Sequence, residues 1–441
     1  MTRTHTILLI FFIALLPLRI IAQIDMQAHV GSDEGKDAYT DYIAEQTAYY
    51  TGDYAYSSLI SLTNDALFGV LNTLMGNTAF TTGKSFSYSN LSTNYGPVDT
   101  DLNNENNIIL FYNGASVSST WDNGKTFNKE HVWPKSIGAQ EGDRMGHDMQ
   151  AVRPCNPTIN SIRSNQGYAE TIDNDYTYIP DALYRGDCAR IIMYDHITYG
   201  KPGTTLYAQR GIADLFNQFG TSDGDVFESL HIMLKWHMQD PPSLTEMVRN
   251  DGAQDYQGNR NPLIDYPELA IQVFLDDGIT TYTVDENSAA TMWPAHRYTL
   301  FDGFIAYLTN GDGSHPADIK VTGATSTYDK SLGRLTVSNV TGNMTISDVA
   351  GSTPEPDPKP DPATYTVTWM ANGAIYTTAT YNGTQTISVP DAPAACDGYT
   401  FIGWTTEANY SNPFCEPEDL FTSASHMVNG NLIYYAVFRK D

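Results

Sequence analysis

Residues 127–136 read Phe-Asn-Lys-Glu-His-Val-Trp-Pro-Lys-Ser and place the acid Glu130 beside His131 at the end of a short apolar run. We expect a short strand here that stops at Pro134, because proline cannot donate a hydrogen bond to a sheet ladder. Neighbouring side chains on a regular strand point to opposite faces. The acid and the histidine can therefore serve one ligand only if the strand twists or ends at this point.

A compact helix is predicted about thirty residues further on, where residues 156–163 read Asn-Pro-Thr-Ile-Asn-Ser-Ile-Arg. Asn156 can cap its N-terminus, Pro157 suits its first turn, and Gly167 can end it. Ile159 and Ile162 are expected on its buried side.

The two segments together carry the residue types that metal-assisted phosphodiester hydrolysis requires. One divalent cation can neutralise the phosphate and the charge that develops on the leaving oxygen. Mg²⁺ prefers oxygen ligands and keeps several waters, so one carboxylate (Glu130) and one amide oxygen (Asn160) suit it. A histidine such as His131, with an ordinary pKa of about 6.5, can deprotonate water near neutral pH. Arg163 lies one helical turn from Asn160 and can face a phosphate from the same side.

The charge pattern favours brief contact with a phosphate backbone over bulk binding of nucleic acid. The chain carries 24 Lys and Arg against 51 Asp and Glu, a formal net charge of −27, and such a charge repels a polyanion. Between residues 121 and 165 the balance reverses, with six cations and five anions and hence a local net charge of +1. This pattern is typical of an enzyme that meets phosphate through one metal ion and a few cations.

The first residues of the chain are predicted to be a secretory signal. Residues 7–17 form an apolar run behind Arg3, and a cleavage site precedes Gln23, so the predicted signal peptide is residues 1–22. The run is too short for a membrane anchor, and no later segment is long and apolar enough to cross a bilayer. We therefore expect an extracellular or periplasmic protein, either released or retained at the cell surface.

The remaining chain is too long for one ordinary core. We assign residues 23–310 to a catalytic domain and 311–352, where apolar and polar residues alternate, to a small β module. Residues 353–364 carry proline at every second position and predict a semi-rigid linker. Residues 365–441, rich in aromatic clusters, are assigned to a C-terminal β module.

Local patterns predict the secondary structure of the catalytic part only coarsely. The predicted elements are a mostly helical stretch over 38–77, a loop over 80–104, a buried strand over 107–112, helices over 188–200 and 226–249, and a surface loop over 257–265.

The four cysteines can form disulfides if the protein is exported. Their distribution suggests pairing within each half of the chain, Cys155 with Cys188 and Cys396 with Cys415, although spacing alone leaves the connectivity open. None stands in a Cys-x-x-Cys pattern, so a thiolate zinc site is not expected.

Six ordered motifs resemble the bacterial and periplasmic endonuclease I nucleases of the ββα-metal (His-metal finger) group. The resemblance covers roughly residues 49–307 and implies an α+β fold, in which helices surround a ββα-metal nuclease core. The matching motifs are Glu130-His131-Val132-Trp133-Pro134, Asp148-Met149-x-x-Val152-Arg153-Pro154, Asn160-x-x-Arg163-x-Asn165, Arg185-Gly186-Asp187-Cys188-Ala189-Arg190, Trp236-His237-x-Gln239-Asp240-Pro241 and Gln257-Gly258-Asn259-Arg260-Asn261-Pro262.

By this resemblance, His131 is the general base, and Glu130 and Asn160 hold a Mg²⁺ ion, with Mn²⁺ or Ca²⁺ as alternatives. The family cleaves DNA, and often RNA, with little sequence preference and leaves 5′-phosphate ends. Nucleic acid is accordingly the expected partner of this chain.

An arginine in such sites steadies the cleaved phosphate, and Arg144 is the candidate here. Arg153 and Arg163 are further candidates for contact with the substrate phosphate. The sequence departs from the family pattern after Asp148, where Gln150-Ala151 replaces a frequent pair of histidines. This departure argues against a catalytic role near Gln150.

The C-terminal segment resembles Listeria–Bacteroides repeats through residues 398–404 and 435–438, which implies a small all-β, β-grasp-like fold that could contact a cell surface or glycan.

Two alternatives to a nonspecific nuclease stay open. One is a related phosphodiesterase with a narrower substrate, and the other is a surface adhesin whose nuclease-like domain is inactive.

Overall fold

The computed structural model describes residues 23–38, 48–78, 87–200, 215–216, 225–349, 364–372, 374–382, 385–387, 389–395, 398–406, 426–428 and 432–440. The predicted signal peptide, residues 353–363 of the predicted linker, Cys396 and Cys415 lie outside these ranges.

The described helices belong to the part of the chain before residue 274. They are α1 Asp33–Ala38, α2 Tyr56–Leu59, α3 Asn64–Thr78, α4 Tyr88–Val98, α5 Pro157–Arg163, α6 Arg185–Tyr199, α7 Leu230–Gln239, α8 Leu244–Gln257, α9 Pro262–Asp265 and α10 Leu269–Val273. None of these helices has the length and apolar character that crossing a membrane requires.

The described strands have two to six residues before residue 350, and the longest of them, of seven to nine residues, lie after it. They are β1 Thr100–Asp101, β2 Asn104–Ile109, β3 Ser116–Ser118, β4 Asn128–His131, β5 Val152–Cys155, β6 Gly167–Tyr168, β7 Thr177–Tyr178, β8 Tyr282–Asn287, β9 Thr291–Trp293, β10 Tyr298–Thr299, β11 Ile305–Thr309, β12 Ile319–Thr322, β13 Thr325–Asp329, β14 Arg334–Ser338, β15 Met344–Asp348, β16 Thr364–Ala371, β17 Ala374–Asn382, β18 Gln385–Ile387, β19 Tyr399–Thr405, β20 His426–Val428 and β21 Leu432–Lys440. Mixed helices and small sheets make the fold α+β, as predicted.

The chain divides into two compact units, residues 1–352 and residues 353–441. In the first unit, two four-stranded sheets, β10-β8-β15-β12 and β13-β14-β11-β9, contain strands from both sides of residue 311. The predicted boundary at that residue therefore falls between strands that pair with one another. The domain boundaries themselves stay predictions.

The second unit is all-β among its described residues. Its main sheet has the order β17-β16-β21-β19, with β16 and β21 parallel. Trp369, Trp404 and Tyr434 form its small core together with Val367, and the Trp369 and Tyr434 rings stack with centroids 4.3 Å apart.

Helix α6 is the centre of the first unit, because every residue from 186 to 198 is buried. A helix enclosed on all sides must satisfy its polar side chains internally. Arg190 forms an ion pair with Glu246 of α8, with Nε 2.6 Å from Oε1, and the Tyr194 hydroxyl donates to Asp148 at 2.8 Å. These contacts tie α6 to α8 and to the loop that joins β4 to β5.

The predicted helices are confirmed in part. The helix over 188–200 is α6, whereas the pattern over 226–249 splits into α7 and α8, because Pro241 and Pro242 interrupt it. A capping box of Ser243 and Glu246 then starts α8.

Two predicted loops are wrong. Residues 88–98 form α4, whose Leu91, Tyr95 and Val98 are buried in a core with Phe127, so tertiary packing outweighs the weak helix propensity of this polar stretch. Residues 257–265 are buried rather than exposed, apart from the half-buried Gly258. There Gln257 donates to Asp148 at 2.6 Å and Arg260 donates to Asp265 at 2.8 Å, so side chains of the turn bond to other buried side chains.

The predicted Cys155–Cys188 disulfide is also wrong. Both residues are free thiols buried in the main core. Burial raises the pKa of each thiol above its ordinary value, so both behave as small apolar side chains.

Candidate active site

Strands β4 and β5 and helix α5 form a ββα unit. The two strands pair antiparallel, with Glu130 opposite Arg153 and His131 opposite Val152, and α5 follows β5 directly. Strand β4 ends at His131. At this strand end Glu130 and His131 both line one cavity of about 870 Å³, although they are adjacent in sequence.

Helix α5 begins as predicted. The Asn156 side-chain oxygen accepts from the backbone N–H of Thr158 at 2.9 Å and of Ile159 at 3.3 Å, and Pro157 occupies the first turn. Its other end differs from prediction, because the cap is Ser164 rather than Gly167.

The buried side of α5 also differs from prediction. Ile162 is 63% exposed, whereas Arg163 is buried. The Arg163 guanidinium donates to the carbonyls of His131 at 3.0 Å and Val132 at 2.6 Å. These two bonds hold the helix against the end of β4 and explain why the charged residue faces inward.

Glu130 is only 1% exposed. Burial raises the pKa of its carboxyl, while the Arg163 guanidinium and the hydrogen bond from Tyr112 act in the opposite direction. The Arg163 Nε lies 3.5 Å from Oε1, and the Tyr112 hydroxyl donates to the same oxygen at 2.8 Å. A buried carboxylate with these contacts is a hard oxygen donor that faces the cavity.

Asn160 presents its side-chain oxygen as a second candidate metal ligand. Its side-chain nitrogen donates to Asn128 Oδ1 at 2.8 Å and to the Lys129 carbonyl at 3.1 Å. These two bonds use both N–H groups and orient the amide. The Oδ1 atom carries no hydrogen, so it can accept a hydrogen bond or coordinate a cation. A carboxylate and an amide oxygen on one cavity wall match the chemistry of a hard divalent cation. Within the described ranges, no three His, Cys, Asp or Glu side chains converge on one point.

His131 has a defined tautomer. Its Nε2 lies 3.0 Å from the Gly146 carbonyl, which can only accept, so Nε2 carries the hydrogen and Nδ1 the lone pair. Burial lowers the pKa of this imidazole to about 4, against a smaller opposing effect of the Gly146 carbonyl. The ring is therefore neutral at pH 7 and able to accept a proton.

The structure brings Glu130, His131, Asn160 and Arg163 to the cavity, but not the other two predicted arginines. Arg144 is exposed at the start of the turn over 145–147 and is not part of the cavity lining. Arg153 is 2% exposed, with its guanidinium 4.6 Å from the Phe111 ring centroid and 3.8 Å from Asp99.

Several residues at the site were not predicted from the sequence. Lys129, Lys135 and Glu141 line the cavity, and Lys135 Nζ lies 2.5 Å from Glu141 Oε1. Tyr88 stacks on the His131 ring from outside the ββα unit. The local excess of cations between 121 and 165 was the only sequence signal for the lysines.

Comparison with known proteins identifies both parts of the chain. Residues 69–181 and 174–268 match the family model for Endonuclease I, and residues 365–437 match the Listeria-Bacteroides repeat domain. The chain is 30% identical over 260 residues to an extracellular ribonuclease of Bacillus subtilis strain 168, which covers 55% of this chain and 86% of that protein. It is 32% identical over 205 residues to an extracellular ribonuclease of Bacillus amyloliquefaciens, covering 43% of this chain and 68% of that protein.

Proposed function

This chain belongs to the endonuclease I family and is a nuclease, and we propose that it is a secreted, divalent-metal-dependent endonuclease that hydrolyses DNA and RNA with little sequence preference. The observation that carries the proposal is the convergence of Glu130, His131 and Asn160 on one cavity at the end of β4. An acid, an amide and a neutral imidazole in that arrangement suit phosphodiester hydrolysis.

Secretion and RNA as a substrate are supported by the relatives and by the N-terminal sequence. Both relatives are named extracellular ribonucleases, and residues 1–22 have the pattern of a secretory signal. DNA is the substrate that the resemblance to the endonuclease I family implies. We therefore propose both nucleic acids as substrates and the extracellular space or periplasm as the place of action.

In the proposed reaction, Glu130 and the Asn160 Oδ1 would hold Mg²⁺, or Mn²⁺ or Ca²⁺ in its place. When bound, the cation neutralises the scissile phosphate and the charge that develops on the leaving oxygen. His131 takes the proton from the attacking water at Nδ1, because its Nε2–H is already committed to Gly146. Lys129 and Lys135 add positive charge along the cavity wall.

The new P–O bond forms as the P–O3′ bond breaks, and the leaving 3′-oxygen takes a proton from solvent, so the products of this scheme are a 5′-phosphate and a 3′-hydroxyl. His131 holds the proton that the water loses until solvent removes it. Because burial keeps its pKa at about 4, the ring returns readily to its neutral form at pH 7. Arg163 is expected to act mainly by fixing the end of β4, since its Nη atoms donate to backbone carbonyls.

The test is digestion of supercoiled plasmid and of ribosomal RNA by the full chain, with Mg²⁺ and with EDTA. We expect cleavage with Mg²⁺ only, loss of most turnover in His131→Ala, and weaker metal affinity in Glu130→Ala and Asn160→Ala. His231→Ala, which removes a half-exposed histidine paired with Asp302, is the matched control and should cleave normally.

Three outcomes would contradict the proposal. Intact chain that never nicks plasmid or RNA would favour the adhesin alternative. Full turnover in His131→Ala would remove the histidine from the reaction. Unchanged Mg²⁺ dependence in both Glu130→Ala and Asn160→Ala would remove the proposed metal ligands.

A further inference from the structure

We infer that two tyrosines from outside the ββα unit divide the positioning of the site between them: Tyr112 orients the carboxylate Glu130, and Tyr88 orients the imidazole of His131. The inference rests on the proposed function, because it assigns these residues to the metal ligand and the base named there. Neither tyrosine is among the residues that line the cavity, so each acts through another side chain.

Tyr112 supplies the hydrogen bond that Glu130 otherwise lacks. Arg163 directs its two Nη groups to backbone carbonyls, and its Nε, 3.5 Å from Glu130, makes no hydrogen bond within the described part of the chain. The Tyr112 hydroxyl, at 2.8 Å, is thus the only described group that donates a hydrogen bond to this carboxylate. It fixes Oε1 and thereby the direction in which the rest of the carboxylate faces.

The Tyr112 hydroxyl is itself held in place. Its hydrogen is directed at Glu130, since a carboxylate only accepts. The Tyr168 hydroxyl then donates to the Tyr112 oxygen at 2.6 Å and shares its hydrogen with the Val132 carbonyl at 3.3 Å. The Tyr112 ring packs between Phe111, at 4.2 Å between centroids, and Tyr178, at 5.2 Å.

The backbone of Tyr112 adopts a conformation that a bulky residue rarely takes. Its φ is +70°, in the left-handed region, immediately before the turn at Asn113-Gly114. Such a conformation persists only where the surroundings enforce it, and it is typical of functional sites. Here it accompanies the delivery of the hydroxyl to Glu130, which is an independent indication that the position serves the site.

Tyr88 constrains the plane of the base. As the first residue of α4 it stacks on the His131 ring, with centroids 5.5 Å apart and planes 22° apart. The Gly146 carbonyl fixes one edge of the imidazole, and the stack fixes its tilt. Lys129 Nζ lies 4.0 Å from the Tyr88 ring centroid, and burial, followed by the negative charge of Glu141, raises the pKa of the Tyr88 hydroxyl. The tyrosine is therefore close to cavity residues of both charges.

The experiment separates the two roles by measuring Mn²⁺ affinity and turnover on the same full-length variants. Tyr112→Phe removes only the hydroxyl and should raise the calorimetric Kd for Mn²⁺ about tenfold, in the range found for residues that orient metal ligands. Its loss of turnover should shrink as Mn²⁺ is raised. The control Tyr178→Phe keeps the neighbouring ring and should bind Mn²⁺ like the wild type.

Tyr88→Leu should show the opposite pattern, with kcat lowered about tenfold and the Kd for Mn²⁺ within about twofold of the wild type, because misplacement of a base costs turnover. Tyr88→Phe keeps the ring and should restore most of kcat. If Tyr88→Leu does not fold, Tyr88→Met takes its place and should show the same lowered kcat and nearly unchanged Kd for Mn²⁺. Tyr328→Leu, a half-buried tyrosine far along the chain whose hydroxyl donates to Pro316, is the matched control.

If the tyrosines had a merely structural role, their replacement would lower Mn²⁺ affinity, turnover and the folded fraction together. It would not separate affinity from turnover. The inference is overturned if Tyr112→Phe binds Mn²⁺ as tightly as Tyr178→Phe, if Tyr88→Leu and Tyr88→Met turn over like Tyr328→Leu, or if Tyr88→Phe loses as much as Tyr88→Leu. Failure of the proposed function gives a different result, since the wild type would then bind no Mn²⁺ or would keep its activity in His131→Ala.

Discussion

Replacement of Arg163 by methionine should destabilise the first unit strongly, before any question of activity arises. Arg163 is the one cation close to the buried Glu130 among the described residues, with its Nε 3.5 Å away. It is also the donor to the carbonyls of His131 and Val132. Methionine fills a similar volume, but it leaves a carboxylate and two carbonyls without these partners.

The magnitude follows from the burial of the pair. Both side chains are 1% exposed, and removal of one partner from a buried ion pair costs about 3–5 kcal/mol, because the other charge stays uncompensated. At about 2 °C per kcal/mol for a unit of this size, the melting transition should fall by about 6–10 °C. A solvent-accessible pair costs far less. Arg185→Met, which breaks a contact with Glu170 at 26% and 17% exposure, should cost about 1 kcal/mol or less.

Differential scanning calorimetry of the full chain in EDTA measures this loss without any contribution from bound metal. The stability cycle also includes Glu130→Gln, alone and combined with Arg163→Met. Because the neutral amide removes the uncompensated charge, the double variant should be more stable than the sum of the single losses predicts, by about 1–3 kcal/mol. A melting transition of Arg163→Met within 2 °C of the wild type, or a strictly additive cycle, would refute this account of the site.

Four further predictions test other parts of the molecule. Asn156→Ala should lower the free energy of unfolding by about 1 kcal/mol in urea titrations, because α5 loses its cap; an unchanged midpoint would contradict this. Burial raises the pKa of Glu268 from 4.5 to about 7, so the native state binds more protons than the unfolded state between those values, and this contribution to stability is lost as pH rises through 7. Glu268→Gln should accordingly be more stable than the wild type by up to about 3 kcal/mol at pH 8 but not at pH 4.5, and equal differences at both pH values would refute the assignment. Lys135→Gln should reduce the slope of log KM against log salt by about 1, and an unaltered slope would remove Lys135 from the phosphate path. A chain truncated after residue 352 should keep its turnover, and its inactivity would make the C-terminal unit part of the enzyme.

The features of the fold that depend only on residues close together in the chain were predictable from the sequence. The Asn156 cap and Pro157 need only the first turn of α5, so the start of that helix followed from the sequence. The existence of α6, predicted as a helix over 188–200, followed from its local pattern, but its burial on all sides did not. The residue types at 130, 131 and 160 indicated metal-assisted phosphodiester chemistry, because the donor preferences of a hard cation do not depend on the fold.

Burial was less predictable, because it depends on partners that lie far away in sequence. Ile162 is exposed and Arg163 buried because two carbonyls at the end of β4 attract the guanidinium. Arg153, predicted to contact substrate phosphate, is enclosed beside Asp99 instead. The turn over 257–265 is buried because Asp148, more than a hundred residues earlier, accepts from Gln257.

The amino-acid sequence by itself determined the chemistry available to this protein: an acid, an imidazole and an amide on segments whose local signals specify a strand end and a capped helix. Only the tertiary structure decided that these three side chains face one cavity, which cation pairs with the buried acid, and that Tyr112 and Tyr88 contact the acid and the imidazole. The physical reason is the sequence separation over which each interaction acts. Caps and periodicity act over a few residues, whereas burial and hydrogen-bond partners are set by contacts between segments that the chain brings together only when it folds.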